Sequence, residues 1–212
     1  SYVKYGRTMH LPNSPGIHDD DKALKNCDHF IGQRVIFTTK KDGENTSMYS
    51  DHIHARSIDS RGGEDRAWVK QFWSTIAHDI PQGWRICGEN LWAEHSIHYD
   101  DLDSYFYGFS IWNEANVCLG WDETVEFFNL LGITPVPILY DGIWDEQVVE
   151  KLAKTLDFTK TEGFVVRLAD PFSYGQFAKS VAKYVRAGHV QTTKHWRAGQ
   201  RFVPNGLKSK ND

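Results

Sequence analysis

The sequence predicts an α+β domain built on mainly antiparallel sheets, and three observations carry that prediction. Short runs rich in β-branched and aromatic residues recur between Gly, Asn and Asp: "RVIFTTK" at 34–40, "TSMYS" at 46–50, "HIHARSI" at 52–58, "WRICGEN" at 84–90 and "YFYGFSIW" at 105–112, then "GFVVRL" at 163–168 and "SVAKYVR" at 180–186. Helical spacing is confined to three segments. Strands mostly follow strands instead of alternating with helices, which argues against a doubly wound parallel sheet.

Each element has a local reason. Asp42-Gly43 is a favoured tight-turn dipeptide, so residues 34–40 are expected to turn back as a hairpin into 46–50. The segment 64–80 repeats apolar residues at Trp68, Phe72, Ile76 and Ile80, one face of a helix. A second helix is expected to start at a capping Asp122 and stop at Gly132, and a third to start at Asp145. No linker, repeat or low-complexity tract interrupts the chain. The expectation is one domain over 1–212, with an N-terminal segment 1–30 and a basic C-terminal tail 187–212 whose last residues fray.

A 212-residue chain with 40% hydrophobic and 14% aromatic residues has material for a real core. The net charge of -4 advertises no global attraction to polyanions, but it is unevenly spread. From 179 to 210 the chain carries Lys179, Lys183, Arg186, Lys194, Arg197, Arg201, Lys208 and Lys210 with no Asp or Glu between them, a distribution suited to holding phosphates. Cys27, Cys87 and Cys118 form no CxxC pair, which argues for a reducing compartment, the cytoplasm by default. No apolar run is long enough to span a bilayer, and the first ten residues lack a signal-peptide core. His52 with His54, and His95 with His98, have no third ligand at fixed spacing, so no zinc site is expected.

Four short motifs carry chemistry: "KKDG" at 40–43, "CGE" at 87–89, "EGFVVR" at 162–167 and "AKYVR" at 182–186. Each lies at a strand edge, and Glu89 and Glu162 both adjoin a Gly that lets backbone approach a ligand closely. Alternation along a strand sends Lys40 and Lys41 to opposite faces, with Thr38 and Asp42 on the Lys40 side.

In this order the motifs resemble those of the lysine-nucleotidyltransferase superfamily, the ATP-dependent nucleic-acid ligases and mRNA capping enzymes. Asn45 after "DG" and Arg56 in "ARS" look closest to the ATP-dependent RNA ligases. The resemblance implies a ligase adenylation fold of antiparallel sheets flanked by helices. It makes Lys40 the nucleophile, which attacks the α-phosphate of ATP and releases pyrophosphate, and Lys41 the variable position of the Lys-x-Asp-Gly motif. A lysine of ordinary pKa, about 10.4, is only about 0.1% neutral near pH 7.4, so the site is expected to depress it through burial and the charges of Lys183, Arg56 or a metal.

By the same resemblance Glu89 accepts the ribose hydroxyls and Phe109 stacks on the adenine, although Phe109 also reads as a plain core aromatic. Thr39, Asp42, Gly43, Asn45 and Arg56 contact the nucleotide. Glu162 organises Mg2+ or Mn2+ and its waters, and Lys183 holds the α-phosphate. The family's second motif-five lysine is Val185 here, so Arg186 is expected to turn inward and replace it, with Lys179 as the alternative.

Only 26 residues follow Arg186, too few for an appended OB-fold or helical domain, so the RNA is expected to be gripped by Arg7 and His10 at one end and Lys194, Arg197 and Arg201 at the other, or by a separate end-processing or RNA-binding partner. The implied activity joins 5'-phosphate and 3'-hydroxyl RNA ends. A minimal DNA ligase, a capping-type guanylyltransferase and a non-catalytic nucleotide- or RNA-binding module of the same fold stay open.

Overall fold

The structure, a computed structural model, describes residues 1–60, 62–188 and 201–210. In chain order its strands and helices are β1 (Met9–His10), β2 (Arg34–Lys40), β3 (Glu44–Met48), β4 (Ile53–His54), α1 (Glu64–Ile76), β5 (Arg85–Asn90), β6 (Phe106–Trp112) and β7 (Val117–Cys118). There follow α2 (Trp121–Leu131), β8 (Thr134–Pro135), β9 (Ile138–Ile143), α3 (Glu146–Thr155), β10 (Gly163–Leu168), β11 (Phe172–Ser173), α4 (Phe177–Ser180) and β12 (Val181–Val185). The α+β class is as predicted.

Among the described residues the strands form two sheets. One runs β1-β12-β10-β2-β9, the other β11-β7-β6-β5-β3-β4 with β8 beside β6. Pairing is antiparallel apart from β1 with β12 and β6 with β8. This corrects the expected hairpin. β2 and β3 do not pair with each other; β2 lies between β10 and β9, and β3 between β5 and β4. The Lys-Asp-Gly turn is therefore the crossing from one sheet to the other. Gly43 permits it, because a Cβ there would sit 2.6 Å from the Asn90 carbonyl oxygen.

Burial on both faces explains why β2 seeks two neighbours. Val35, Ile36 and Phe37 are fully buried, Val35 and Phe37 in a cluster with Phe30, Phe164 and Val166, Ile36 in one with Leu91, Leu102 and Trp121. Each such side chain contributes about 1.5–3 kcal/mol when removed from water. A two-sided apolar strand belongs inside a sheet, not at a hairpin edge.

The helices cover the outer faces. α1 places Val69 and Ile76 in a core with Met48, Ile86 and Phe106, and Glu64 and Asp65 in its first turn complement the helix dipole. Asp145 caps α3 by accepting from Gln147 N–H at 2.9 Å. Gly132 ends α2 in the left-handed region at φ 72°. Asp122 does not cap α2, which starts at Trp121 after Gly120. Its carboxylate instead meets Arg34 at 2.8 and 3.0 Å, and Asp141 holds the other side of the same guanidinium at 2.8 Å.

Residues 203–208 are anchored, and Asn211 and Asp212 of the end expected to fray lie outside the described residues. Glu94 N–H donates to the Val203 carbonyl at 2.7 Å, Asn205 N–H to Trp92 at 2.8 Å and Lys208 N–H to Leu102 at 2.7 Å, so residues 203–208 strap the 91–105 loop. Residues 189–200, which include Lys194 and Arg197, lie outside the described residues. No helix among the described residues is long and apolar enough to cross a membrane.

Candidate active site

A cavity of about 830 Å³ opens between the two sheets, within the size range of small-molecule sites. Sheet register builds its first wall. Thr38, Val165 and Lys183 stand opposite one another across β2, β10 and β12, and Lys40, Gly163 and Val185 form the next row. Residues opposite each other share a face, so this row arrangement aims Lys40 and Lys183 the same way.

Lys40 meets the carboxylate of Glu162 in an ion pair between groups 122 positions apart. Backbone bonds hold the pairing, with Glu162 N–H donating to the Lys40 carbonyl at 3.1 Å and the Thr161 hydroxyl 2.8 Å from that same oxygen. Lys41 departs in another direction, its ammonium 4.9 Å from the Tyr99 ring centre and 5.9 Å from that of Tyr107. Lys41 lies past the end of β2 and also lines the cavity, so alternation does not remove it from the pocket. What sets the two lysines apart is the partner, Glu162 for Lys40 and the Tyr99 and Tyr107 rings for Lys41.

The opposite wall comes from β3, β5 and β6. Glu89 accepts from Gly43 N–H at 3.1 Å, and the register of β5 against β6 shifts between Cys87 and Gly88, directly before it. Asn45 stands opposite Glu89, and Phe109 lines the cavity from β6. Asp42 accepts from Ser96 N–H at 2.7 Å and from the Ser96 hydroxyl, while Asp42 N–H donates to the Tyr99 hydroxyl at 3.0 Å. Arg66 grips Glu44 through two bonds of 2.8 Å and ties the start of β3 to α1.

The electrostatics differ from the expected depressed lysine. Burial pulls the Lys40 ammonium down, but Glu162, then Glu89 and Asp42, push it up and prevail, so its pKa lies above the ordinary value. Lys183 is the lysine that is depressed, by burial first and by Lys40 second. Glu89 rises to about 8, chiefly through burial, with Glu162 and Asp42 adding to the effect and Lys40 opposing it. Asn45, opposite Glu89 on the cavity wall, has a buried Oδ1 that makes no hydrogen bond to the described residues. Such an atom suits a polar ligand that would satisfy it.

An RNA ligase family model matches residues 33–185, most of the chain. The chain belongs to the RNA ligase family. Solved RNA ligases share the fold at low identity. An archaeal ATP-dependent RNA ligase aligns with TM-score 0.58 at 14% identity over 87% of this chain and 48% of its own. A Naegleria gruberi RNA ligase with PPi gives 0.57 at 19% over 82% and 53%, and a variant of it with AMP and Mn gives 0.55 at 18% over 87% and 56%. The chain thus spans about half the length of these relatives. No curated protein sequence matches it.

In this RNA ligase family member, the motif residues Thr39, Lys40, Asp42, Gly43, Asn45, Arg56, Glu89, Phe109, Glu162 and Lys183 all line the one cavity. Arg56 reaches it from the bend after β4, since the expected strand 52–58 is ordered as strand only at Ile53–His54. Arg186 is not brought in. β12 stays regular through Val185, and the Arg186 guanidinium turns the other way to donate to the Phe158 carbonyl. Lys179 is exposed on α4 and does not line the cavity either. Val185 occupies the cavity-facing row but is buried under the N-terminal segment. Val185 N–H donates to Ser14 Oγ at 2.9 Å, Gly16 N–H donates to its carbonyl at 2.8 Å, and a Cβ on Gly16 would lie 2.8 Å from its side chain. A lysine there would bring a charge beneath residues 14–16.

Of the expected RNA contacts, Arg7 lines the cavity mouth, its guanidinium donating to the Asp20 carbonyl. His10 is buried at 2% exposure, 2.7 Å from Ser14 Oγ and 3.2 Å from Asp21, so it organises the N-terminal segment instead of meeting a ligand. Arg201 is exposed and away from the cavity. Tyr5, which lines the cavity, and Ser96 and Tyr99, which hold Asp42, carried no motif signal, whereas Val165 lies within the matched run 162–167 and was open to inference.

Proposed function

We propose that the chain is an ATP-dependent RNA ligase that joins 5'-phosphate and 3'-hydroxyl RNA ends through a lysyl-AMP intermediate at Lys40. The observation that supports this most directly is the placement of the Lys40 amine in the inter-sheet cavity against Glu162, with Lys183 on the adjoining row.

In the first step the neutral Lys40 Nζ attacks the α-phosphorus of ATP; an N–P bond forms and the bond to pyrophosphate breaks. Lys183 neutralises α-phosphate oxygens; burial first and Lys40 second depress its pKa. The ribose hydroxyls lie against Glu89 and Asn45, and the base against Phe109. In the second step an oxygen of the RNA 5'-phosphate displaces lysine and takes the AMP. In the third the 3'-hydroxyl attacks the phosphorus of the RNA 5'-phosphate, a phosphodiester bond forms and AMP leaves. Positioning and charge neutralisation supply most of the catalysis in such transfers.

Glu162 is the residue that would hold Mg2+ or Mn2+. Among the described residues no three His, Cys, Asp or Glu side chains converge to hold a metal by themselves, which suits an ion that keeps water and phosphate oxygens as most of its ligands. When bound, it supplies positive charge that neutralises phosphate oxygens and opposes the ammonium form of Lys40.

We place the adenylation chemistry in this nucleotidyltransferase unit, acting in a reducing compartment such as the cytoplasm, where Cys27, Cys87 and Cys118 stay free. Arg7 at the cavity mouth is the described candidate for an RNA phosphate, and a separate partner would supply further grip. A second reading, a non-catalytic nucleotide- or RNA-binding module, draws support from Val185 and from the raised Lys40.

The test is incubation with ATP labelled at the α-phosphate and Mg2+, then with GTP. Label from ATP that is lost in Lys40→Ala and kept in Lys41→Ala supports the ligase reading, and wild-type protein that takes no label from either nucleotide supports the binding module. Transfer from GTP alone would point to a capping-type enzyme. Offering the labelled protein a 5'-phosphorylated RNA and the matching DNA decides the polymer, with sealing of DNA alone overturning the RNA assignment.

A further inference from the structure

Residues 2–6 pass beside the cavity, which Lys4 and Tyr5 line, and are fastened on both sides of Tyr5. Val3 N–H donates to the Tyr49 hydroxyl at 2.7 Å, and the Tyr174 hydroxyl donates to the Lys4 carbonyl at 2.8 Å. Gly6 lies flat on Phe177, where a Cβ would come within 2.7 Å of the ring. Three separate attachments over four residues hold a segment that lies outside the part of the chain matched by the family model.

What they hold in place is the Tyr5 ring. It meets Phe109 edge-on, centres 5.4 Å apart at 70°, and Phe177 at 5.3 Å and 85°. Tyr5, Phe109 and Val165 pack against one buried cluster that contains Cys87, Trp112 and Phe177, and all three line the cavity. Phe109 comes from one sheet and Val165 from the other, so Tyr5 closes the end of the space between them. Burial raises its hydroxyl pKa well above the ordinary value, with Cys87 and Cys118 nearby adding to the rise.

We propose that Tyr5 is a nucleotide-binding residue, the end wall of the base subsite, whose ring limits how far a purine slides between Phe109 and Val165. The inference rests on the assignment of this cavity to a nucleotide, but not on covalent transfer to Lys40. An aromatic wall at right angles to Phe109 offers its face to the rim of a base stacked on that ring, the edge-to-face arrangement aromatic groups favour. A cavity of about 830 Å³ with Tyr5 in place leaves room for a nucleotide, so the ring bounds the space without filling it.

The test measures AMP binding by calorimetry, and KM and kcat for ATP in adenylation, on the full chain and on Tyr5→Leu, Tyr5→Phe and Tyr5→Trp. Removing an apolar contact from such a pocket is worth about tenfold or more. Tyr5→Leu is therefore expected to raise the Kd for AMP and the KM for ATP about tenfold, with kcat within about twofold of wild type, and Tyr5→Phe, which keeps the ring, is expected to retain wild-type affinity. Tyr5→Trp extends the wall into the slot and is expected to weaken AMP as well, which keeps the test available if Tyr5→Leu fails to fold. Unchanged AMP affinity in both Leu and Trp variants, or tighter binding in Tyr5→Leu, overturns the proposal; the first marks a structural plug and the second an obstruction. If wild type takes no label from ATP yet binds AMP in a Tyr5-dependent way, the ligase reading fails and the wall stands. Wild type that binds no AMP overturns the wall.

Discussion

Tyr99 N–H donates to Asn205 Oδ1 at 2.9 Å, while the Tyr99 hydroxyl accepts from Asp42 N–H at 3.0 Å, so a residue near the C-terminal end of the chain is one side chain removed from the Lys-Asp-Gly turn. Asn205 is buried, and its Nδ2 also donates to the Leu91 carbonyl at 2.8 Å. Asn205→Ala leaves two buried backbone groups unpaired at about 1–3 kcal/mol each. The expected loss is about 2–6 kcal/mol in urea unfolding, together with slower adenylation because Tyr99 no longer holds Asp42 in place. Full activity in a folded but destabilised variant would show the strap to be structural only.

The crossing between sheets depends on Gly43 lacking a side chain. Its Cβ would strike the Asn90 carbonyl and the Leu91 side chain, both at 2.6 Å. Gly43→Ala is expected to cost about 1–3 kcal/mol through overpacking and to displace Asp42 and Lys40, lowering adenylation at least about tenfold. Gly175→Ala, where a Cβ meets nothing within 4 Å, is the matched control and is expected to be silent.

Arg186 and Lys183 are predicted to separate cleanly. Arg186 points to the Phe158 carbonyl, outside the cavity, so Arg186→Ala is expected to lower the melting temperature and leave the KM for ATP unchanged. Lys183→Ala removes the β12 cation that lines the cavity and is expected to lower the adenylation rate about 100-fold. Adenylation lost in Arg186→Ala at full stability would restore that residue to the site.

Glu89 gives a pH signature of stability. Its folded pKa, about 8, lies above the ordinary carboxylate value of 4.5, so the folded ligand-free protein keeps a proton that the unfolded chain gives up. The stability linked to this group is fully present below about pH 4.5 and is lost as pH rises through about 8. Glu89→Gln cannot titrate. Its stability relative to wild type is expected to improve steadily across that window, measured by urea unfolding at several pH values, and a constant difference would contradict the raised pKa.

Lys40 adds a kinetic signature. Its ammonium form is favoured by Glu162, Glu89 and Asp42 in the free protein. The kcat/KM for adenylation is therefore expected to rise with pH through the alkaline range without levelling near neutrality. Glu162→Gln removes the first of these carboxylates and should move the rise to lower pH, readable even where the variant is slow.

The local features of the sequence determined a good deal. Asp145 and Gly132 marked helix ends, and four short motifs in order, with the resemblance they carry, named ten residues that the fold brings to one cavity. These signals survive because each depends on a few neighbouring residues. What only the tertiary structure decided was partnership over distance. Asp-Gly reads locally as a hairpin, yet β2 and β3 join different sheets because the strand partner is chosen by two buried apolar faces and not by the turn. Val185 in place of a charge has its reason in Ser14 and Gly16, packed on it from some 170 positions away. Tyr5, Tyr99 and Asn205 reach the site by the same long-range packing, which no spacing within the chain encodes.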